Sequence, residues 1–142
     1  MFKKIIVPID VQQDTRSLAI LEKAINFAKP FSSEIHIVHI VPCLLNRVLD
    51  EYLPQNWNKK RLLKVKDKLS AITPKNIPNG LKFTTHVSKG NVHDEILQYA
   101  YKEDGDLIML FAIDTLTKNY ILGYNTREIL KNSTISVIIV RE

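Results

Sequence analysis

The chain has 142 residues, 45% apolar and 25% charged, the proportions of an ordinary soluble globular domain. Its one cysteine, Cys43, excludes an internal disulfide, and its four glycines lie at least 10 residues apart, which excludes a G-x-G-x-x-G fingerprint and a Walker A loop. The net charge of +5 is concentrated: residues 59–68 carry six cations and one anion, and the rest of the chain balances at 14 of each.

Taken in order, residues 4–9 form a β-branched run that predicts a strand buried on both faces. Leu18, Leu21, Ala24, Ile25 and Ala28 then recur at helical spacing, so a helix should bury that stripe and end near Pro30. Residues 35–41 read as a second strand, and 42–58 as an irregular segment broken by Pro54. A second helix is expected over about 58–72, with Leu62, Val65, Leu69 and Ile72 inward. A Pro- and Asn-rich loop at 73–80 precedes a third strand at 82–87 and a turn at Gly90. A third helix over 92–101, a fourth strand over 107–112, a last helix over roughly 125–130 and a final strand over 135–140 complete the chain.

Strands separated by helices imply parallel pairing through right-handed crossovers. The expected fold class is α/β, an open five-stranded, mostly parallel sheet with helices on both faces, in one domain over residues 1–142. Ligands of such sheets bind at the carboxyl ends of the strands. Those ends are residues 8–10, 40–41, 89–90 and 111–114. The opening residues are too poor in apolar side chains for a signal peptide, and the longest apolar run, 107–113, has seven residues against the roughly 20 that cross a bilayer. A cytoplasmic protein with no membrane partner is expected.

Little here suggests catalysis. His36 and His39, three apart on a strand, face opposite sides and cannot chelate together. No Cys/His spacing suits a metal, Cys43 has no histidine near it, and Ser17, Ser32 and Ser33 lack a nucleophile elbow. No catalytic residue, no metal ligand and no enzymatic activity are expected. On the second helix Lys60, Lys64 and Lys68 align in a stripe without interleaved aromatic residues, which reads as a solvated face rather than a nucleic-acid surface. An interaction module using 59–68 is the alternative. Asn125-x-x-Glu128 has the form of a capping box, so Asn125 is expected to cap the last helix.

The ordered landmarks resemble the universal stress protein family. They are Ile6-Val-Pro-Ile-Asp10, His39-Ile40, Val87-Ser-Lys-Gly90 with Asp94-Glu-Ile-Leu97, Gly105-Asp-Leu-Ile108, Ile121-Leu-Gly123 and the strand before Arg141. The resemblance implies a Rossmann-like fold, an adenine-nucleotide site in some members, and a final strand that lies at a sheet edge and pairs across a two-fold axis. It also implies a G-x2-G-x9-G-[S/T] motif. Anchored on Gly123, its first two glycine positions hold Leu110 and Ile113, or Phe111 and Asp114 with one residue fewer in the loop. Tyr124 stands at the Ser/Thr position, so one motif residue of four survives. The site implied is Pro8, Asp10, Ile40 and Gly123. Asp10 either receives hydrogen bonds from a nucleoside, as the family's aspartate does, or holds the turn that follows it. The expectation is a homodimer through the final strand that takes a small-molecule ligand, with no cofactor. The alternative is an adenine-nucleotide-binding member that takes ATP or AMP weakly.

Overall fold

The computed structural model describes residues 1–12, 14–42, 53–54, 56–73, 78–112 and 123–141. Among the described residues, five strands alternate with four helices: β1 (Lys4–Pro8), α1 (Asp14–Ala28), β2 (Glu34–Pro42), α2 (Trp57–Ile72), β3 (Phe83–Gly90), α3 (Val92–Lys102), β4 (Leu107–Phe111), α4 (Tyr124–Asn132) and β5 (Ser136–Val140). One turn of 3-10 helix, Lys29–Phe31, with Pro30 inside it, closes α1. The strands lie in the order β3-β2-β1-β4-β5, and every pairing is parallel. The sheet is thus wholly rather than mostly parallel, because each link between neighbours is a crossover and none is a hairpin.

The continuous apolar runs find their reason in this order. β1 is central, and β2 is buried without a break from Ile35 to Val41. Alternate side chains feed two cores. Ile5, Val7, Ile35, Ile37, Leu107 and Met109 pack beneath α1 and α2, while Ile6, Val38, Ile40, Ile108 and Leu110 pack beneath α3 and α4. Each fully buried Ile or Leu contributes about 1.5–3 kcal/mol over its exposed state.

Three expectations shift. Leu18 is 40% exposed, and Ser17 takes its place in the buried stripe with Leu21, Ala24 and Ala28. Ser17 can be buried because its hydroxyl donates to the Asp10 carbonyl at 2.6 Å. Gly90 is the last residue of β3, paired with Pro42, rather than part of a turn. The last helix starts at Tyr124, and its N-cap is Gly123, with no side-chain cap. Asn125 therefore lies inside the helix and does not cap it. The 73–80 loop lies outside the described residues at 74–77, as do Cys43, Ile113, Asp114, Ile121 and Leu122.

At the amino edge of the sheet, Asp106 receives the Lys3 and Lys4 amides at 2.7 and 3.0 Å, and the Lys4 ammonium donates to the Glu103 carbonyl at 2.7 Å. That edge is closed by the protein's own groups. At the opposite edge the strands end in a cavity.

Candidate functional site

The connections reverse direction across β1: β2 and β3 lie on one side of it, β4 and β5 on the other. Crevices form outside the carboxyl ends of strands at such a switch. Here a cavity of about 420 Å³ opens, within the range of small-molecule sites. Its floor is Pro8, Ile9 and Asp10 from β1 and the residues after it, with Val38 to Pro42 from β2. Arg61 and Val65 of α2 form one wall, and Val92, Ile96 and Asn125 of α3 and α4 the other.

The floor is held by hydrogen bonds. The Ile9 amide donates to the Val38 carbonyl at 2.8 Å, which carries the β1–β2 pairing past the end of β1. The His39 Nδ1 lies 2.9 Å from the Ile9 carbonyl and 3.4 Å from the Val11 amide nitrogen. One nitrogen cannot donate to the first and accept from the second. The shorter contact assigns the proton to Nδ1, so Nε2 carries the lone pair. His39 lines the cavity with that ring. Asp10 is exposed, and its Oδ1 receives the Gln12 amide at 3.0 Å. The carboxylate therefore does hold the following turn, while also lining the cavity.

The far wall is organised by His93. Its Nδ1 meets Asn125 Oδ1 at 3.2 Å, its Nε2 lies 3.4 Å from Asp94 Oδ1, and its ring stands edge-on to Tyr124 with centroids 5.6 Å apart. The amide expected to cap α4 is instead turned to α3, at the mouth of the cavity.

Of the residues singled out in the sequence, Pro8, Asp10 and Ile40 line the cavity together. Gly123 is not in the lining; it caps the helix that presents Asn125. Leu110 and Phe111 are β4 residues, Leu110 buried in the core beneath α3 and α4 and Phe111 packed against the core beneath α1 and α2. Sequence reasoning put Val65 on the inward face of α2 but named neither it nor Arg61 as a site residue, although Arg61 precedes Val65 by one helical turn. It passed over His39 as a site residue, although it sits at a strand's carboxyl end. Among the described residues, no three His, Cys, Asp or Glu side chains are grouped to hold a metal, and no helix is long and apolar enough to cross a membrane.

A second histidine group lies away from the cavity. His86 stacks on Tyr99 with centroids 4.1 Å apart, and the Tyr99 hydroxyl is 3.0 Å from His36 Nδ1. Burial, and then Lys102, lower the His86 pKa. Burial, and then Glu103 and Glu34, push the Tyr99 hydroxyl up to about 12.

The model of the universal stress protein family matches residues 1–141. Universal stress protein G of Salmonella typhi is 22% identical over 99% of this chain and 100% of its own length. Universal stress protein MJ0531 of Methanocaldococcus jannaschii is 26% identical over 100% of this chain and 84% of its own. Among solved structures, the universal stress protein UspA of Lactobacillus plantarum superposes with a TM-score of 0.73 at 21% identity, covering 99% of this chain and 98% of its own. A universal stress protein crystallised in complex with cAMP superposes with a TM-score of 0.60 at 17% identity, covering 99% and 97%.

Proposed function

The chain belongs to the universal stress protein family, and from that membership we propose that it acts by binding a small ligand at the carboxyl edge and by pairing with its own copy. On this reading it is a cytoplasmic protein without catalysis and without a standard triphosphate site. The observation that carries the ligand half is the cavity at the switch point, where Pro8, Asp10 and Ile40 converge.

The restriction on triphosphates rests on chemistry. A phosphate loop needs glycine, so that backbone N–H groups approach the oxygens closely and take unusual φ values. Leu110 and Phe111, at the first glycine position on either alignment, are strand residues packed against the two cores. Asp114 falls in the loop on either alignment. A carboxylate there, facing a triphosphate at about 4 Å in a partly desolvated site, would be repelled by about 4 kcal/mol, more than one hydrogen bond returns. ATP should therefore bind more weakly than about millimolar, since a few kcal/mol is several powers of ten in affinity, and no hydrolysis should follow. Calorimetry with ATP and AMP tests this. Micromolar ATP binding that disappears in Asp10→Ala would promote the alternative, a true nucleotide-binding member. The existence of a similar fold crystallised with cAMP supports keeping that alternative.

The pairing half rests on β5. It is an edge strand, and Val137 to Val140 are only half-buried. The Ala112 amide donates to the Val140 carbonyl at 2.9 Å, so Val140 and Ile138 turn their peptide groups toward β4. Val137 and Ile139 then turn theirs outward, because the alternation has period two. An apolar edge with free donors is removed when it pairs with its own copy. Ile139→Pro deletes one outward N–H and spares the β4 ladder. Sedimentation at tens of micromolar should show a dimer for the native chain and a monomer for the variant. A native monomer would refute this half alone.

A further inference from the structure

The basic run of the chain falls on α2, where residues 59–68 carry six cations and one anion while the rest of the chain sums to zero. The inner face of this helix is occupied by the sheet: Val65 and Leu69 are buried, and Leu62 and Ile72 pack against the same core. Along the outer face runs a hollow of about 480 Å³, lined among the described residues by Trp57, Lys60, Arg61, Leu63, Lys64 and Asp67. Trp57 is 37% exposed and Leu63 is 59% exposed, and the Arg61 guanidinium lies over the indole, 5.5 Å from its centroid. At 3.6 residues per turn, Lys60 and Lys64 project between these two apolar side chains, and Lys68 continues their row. No carboxylate of the described residues lies within ion-pair distance of Lys60, Lys64 or Lys68. Ammonium groups at i, i+4 repel one another, a mild cost that this face carries.

We propose that this outer face of α2 docks an acidic segment of a partner protein, which seats one large apolar side chain between Trp57 and Leu63 and sets carboxylates against Lys60, Lys64 and Lys68. The inference depends neither on the ligand cavity nor on pairing through β5. Charge complementarity gives the partner its sign: carboxylates relieve the repulsion along the lysine row and steer the encounter. The hollow gives the partner its anchor. One exposed leucine is ordinary. An indole and a leucine that share a hollow, with the methylene stems of two lysines between them, make a concave apolar seat with a charged rim. Two other polyanions fit this face less well. An anionic bilayer takes up the whole apolar face of an amphipathic helix, and that of α2 is already packed on the sheet. A nucleic-acid strand stacks its bases on successive aromatic rings, but the hollow holds one such ring, and Asp67 sets a carboxylate against a chain of phosphates.

The test titrates the full chain with a capped oligoglutamate peptide that carries one central phenylalanine, in about 50 mM salt, where screening is weak. Binding is read by calorimetry and by the emission of Trp57, the only tryptophan. The peptide should bind and shift the emission. Alanine in place of its phenylalanine should weaken binding at least about tenfold, the scale of burying one large apolar side chain. Leu63→Ala should weaken the phenylalanine peptide and leave the alanine peptide unchanged. Lys60→Gln with Lys64→Gln should weaken both peptides, as should higher salt. Lys66→Gln, an exposed charge outside the hollow, should have little effect. Each variant should keep the native Tm, because the replaced side chains are exposed. Absence of both heat and emission change would overturn the proposal. So would an alanine peptide that binds as well as the phenylalanine one, or a loss in Lys66→Gln equal to that in the hollow, since diffuse charge would then suffice. Tighter binding of a thymidine oligonucleotide or of phosphatidylserine vesicles would overturn it in favour of that polyanion. Emission that shifts with protein concentration alone would assign the face to a second copy instead.

Discussion

Removal of one oxygen atom, in Tyr99→Phe, probes how the core beneath α3 and α4 tolerates polar groups. Tyr99 is 7% exposed and His36 is 2% exposed, and the hydroxyl lies 3.0 Å from His36 Nδ1. The other ring nitrogen, Nε2, is 3.2 Å from Glu34 Oε1 but makes no aligned hydrogen bond. The carboxylate beside Nε2 favours the proton there, so the Tyr99 hydroxyl donates to Nδ1. In the variant Nδ1 becomes a buried acceptor without a donor, at a cost of about 1–3 kcal/mol. For a chain of this size that is a fall of about 3–10 °C in Tm. The double variant His36→Leu/Tyr99→Phe removes both polar groups and should recover most of the loss, which gives a coupling of at least about 1 kcal/mol in a double-mutant cycle. The hydroxyl also titrates. Its pKa is pushed from 10 to about 12, so the native state resists ionisation more than the unfolded chain does. Its contribution is complete below pH 10 and is lost as pH rises through about 12, amounting to at most about 3 kcal/mol. Chemical denaturation at pH 7 and across pH 9–12, native against variant, measures both effects, with the alkaline window set by the Tyr99 pKa. A loss under about 0.5 kcal/mol at neutral pH, or strictly additive single variants, would refute the buried-acceptor argument.

The remaining predictions concern separate parts of the molecule. His86, whose pKa lies below the usual 6.5, should lose its share of stability as pH falls below that value; His86→Phe should flatten this acid slope, read by thermal unfolding between pH 5 and 7.5. Gly105→Ala would set a Cβ 2.8 Å from Ile6 Cγ1 and 3.2 Å from the Ala100 carbonyl, and should cost about 1–3 kcal/mol in denaturant melts. Changing Lys60, Lys64 and Lys68 together to Gln should alter stability by no more than about 0.5 kcal/mol each, because all three are exposed. A loss of partner binding at intact stability in that triple variant would favour the interaction-module reading of α2.

Most of the sheet was legible because every strand but β3 is rich in apolar side chains and α1, α2 and α3 carry their own 3–4 spacing. Even so, the stripe of α1 was misjudged by one residue: Leu18 looked the better core side chain, but Ser17 is buried by a bond to the Asp10 carbonyl that no local pattern encodes. Pro8, Asp10 and Ile40 could be placed from sequence, since strand ends are where such folds bind. Arg61 could not. The inward stripe of Val65 and Leu69 was legible, and Arg61 lies one and two turns before them, but the cations around it led the whole run to be read as a solvated face. Asn125 was misread for a related reason. Its spacing to Glu128 suits a cap, but Gly123 already occupies that position and His93, a residue on another helix, takes the amide.

The two outer strands differ in a way that limits how many copies can assemble. The β5 edge presents half-buried Val and Ile, whereas β3, at the other end of the sheet, begins with the exposed Phe83-Thr84-Thr85 and continues through His86, Ser88 and Lys89. Joining β5 of one chain to β3 of the next would leave a fresh β5 at every step, and the array would grow without limit. Polar and cationic side chains along β3 make that junction poor, as they do on the protected edges of many sheets. Joining β5 to β5 consumes the adhesive edge of both copies at once. If the chain pairs as proposed, the imbalance between the two rims would favour a closed pair over a fibre.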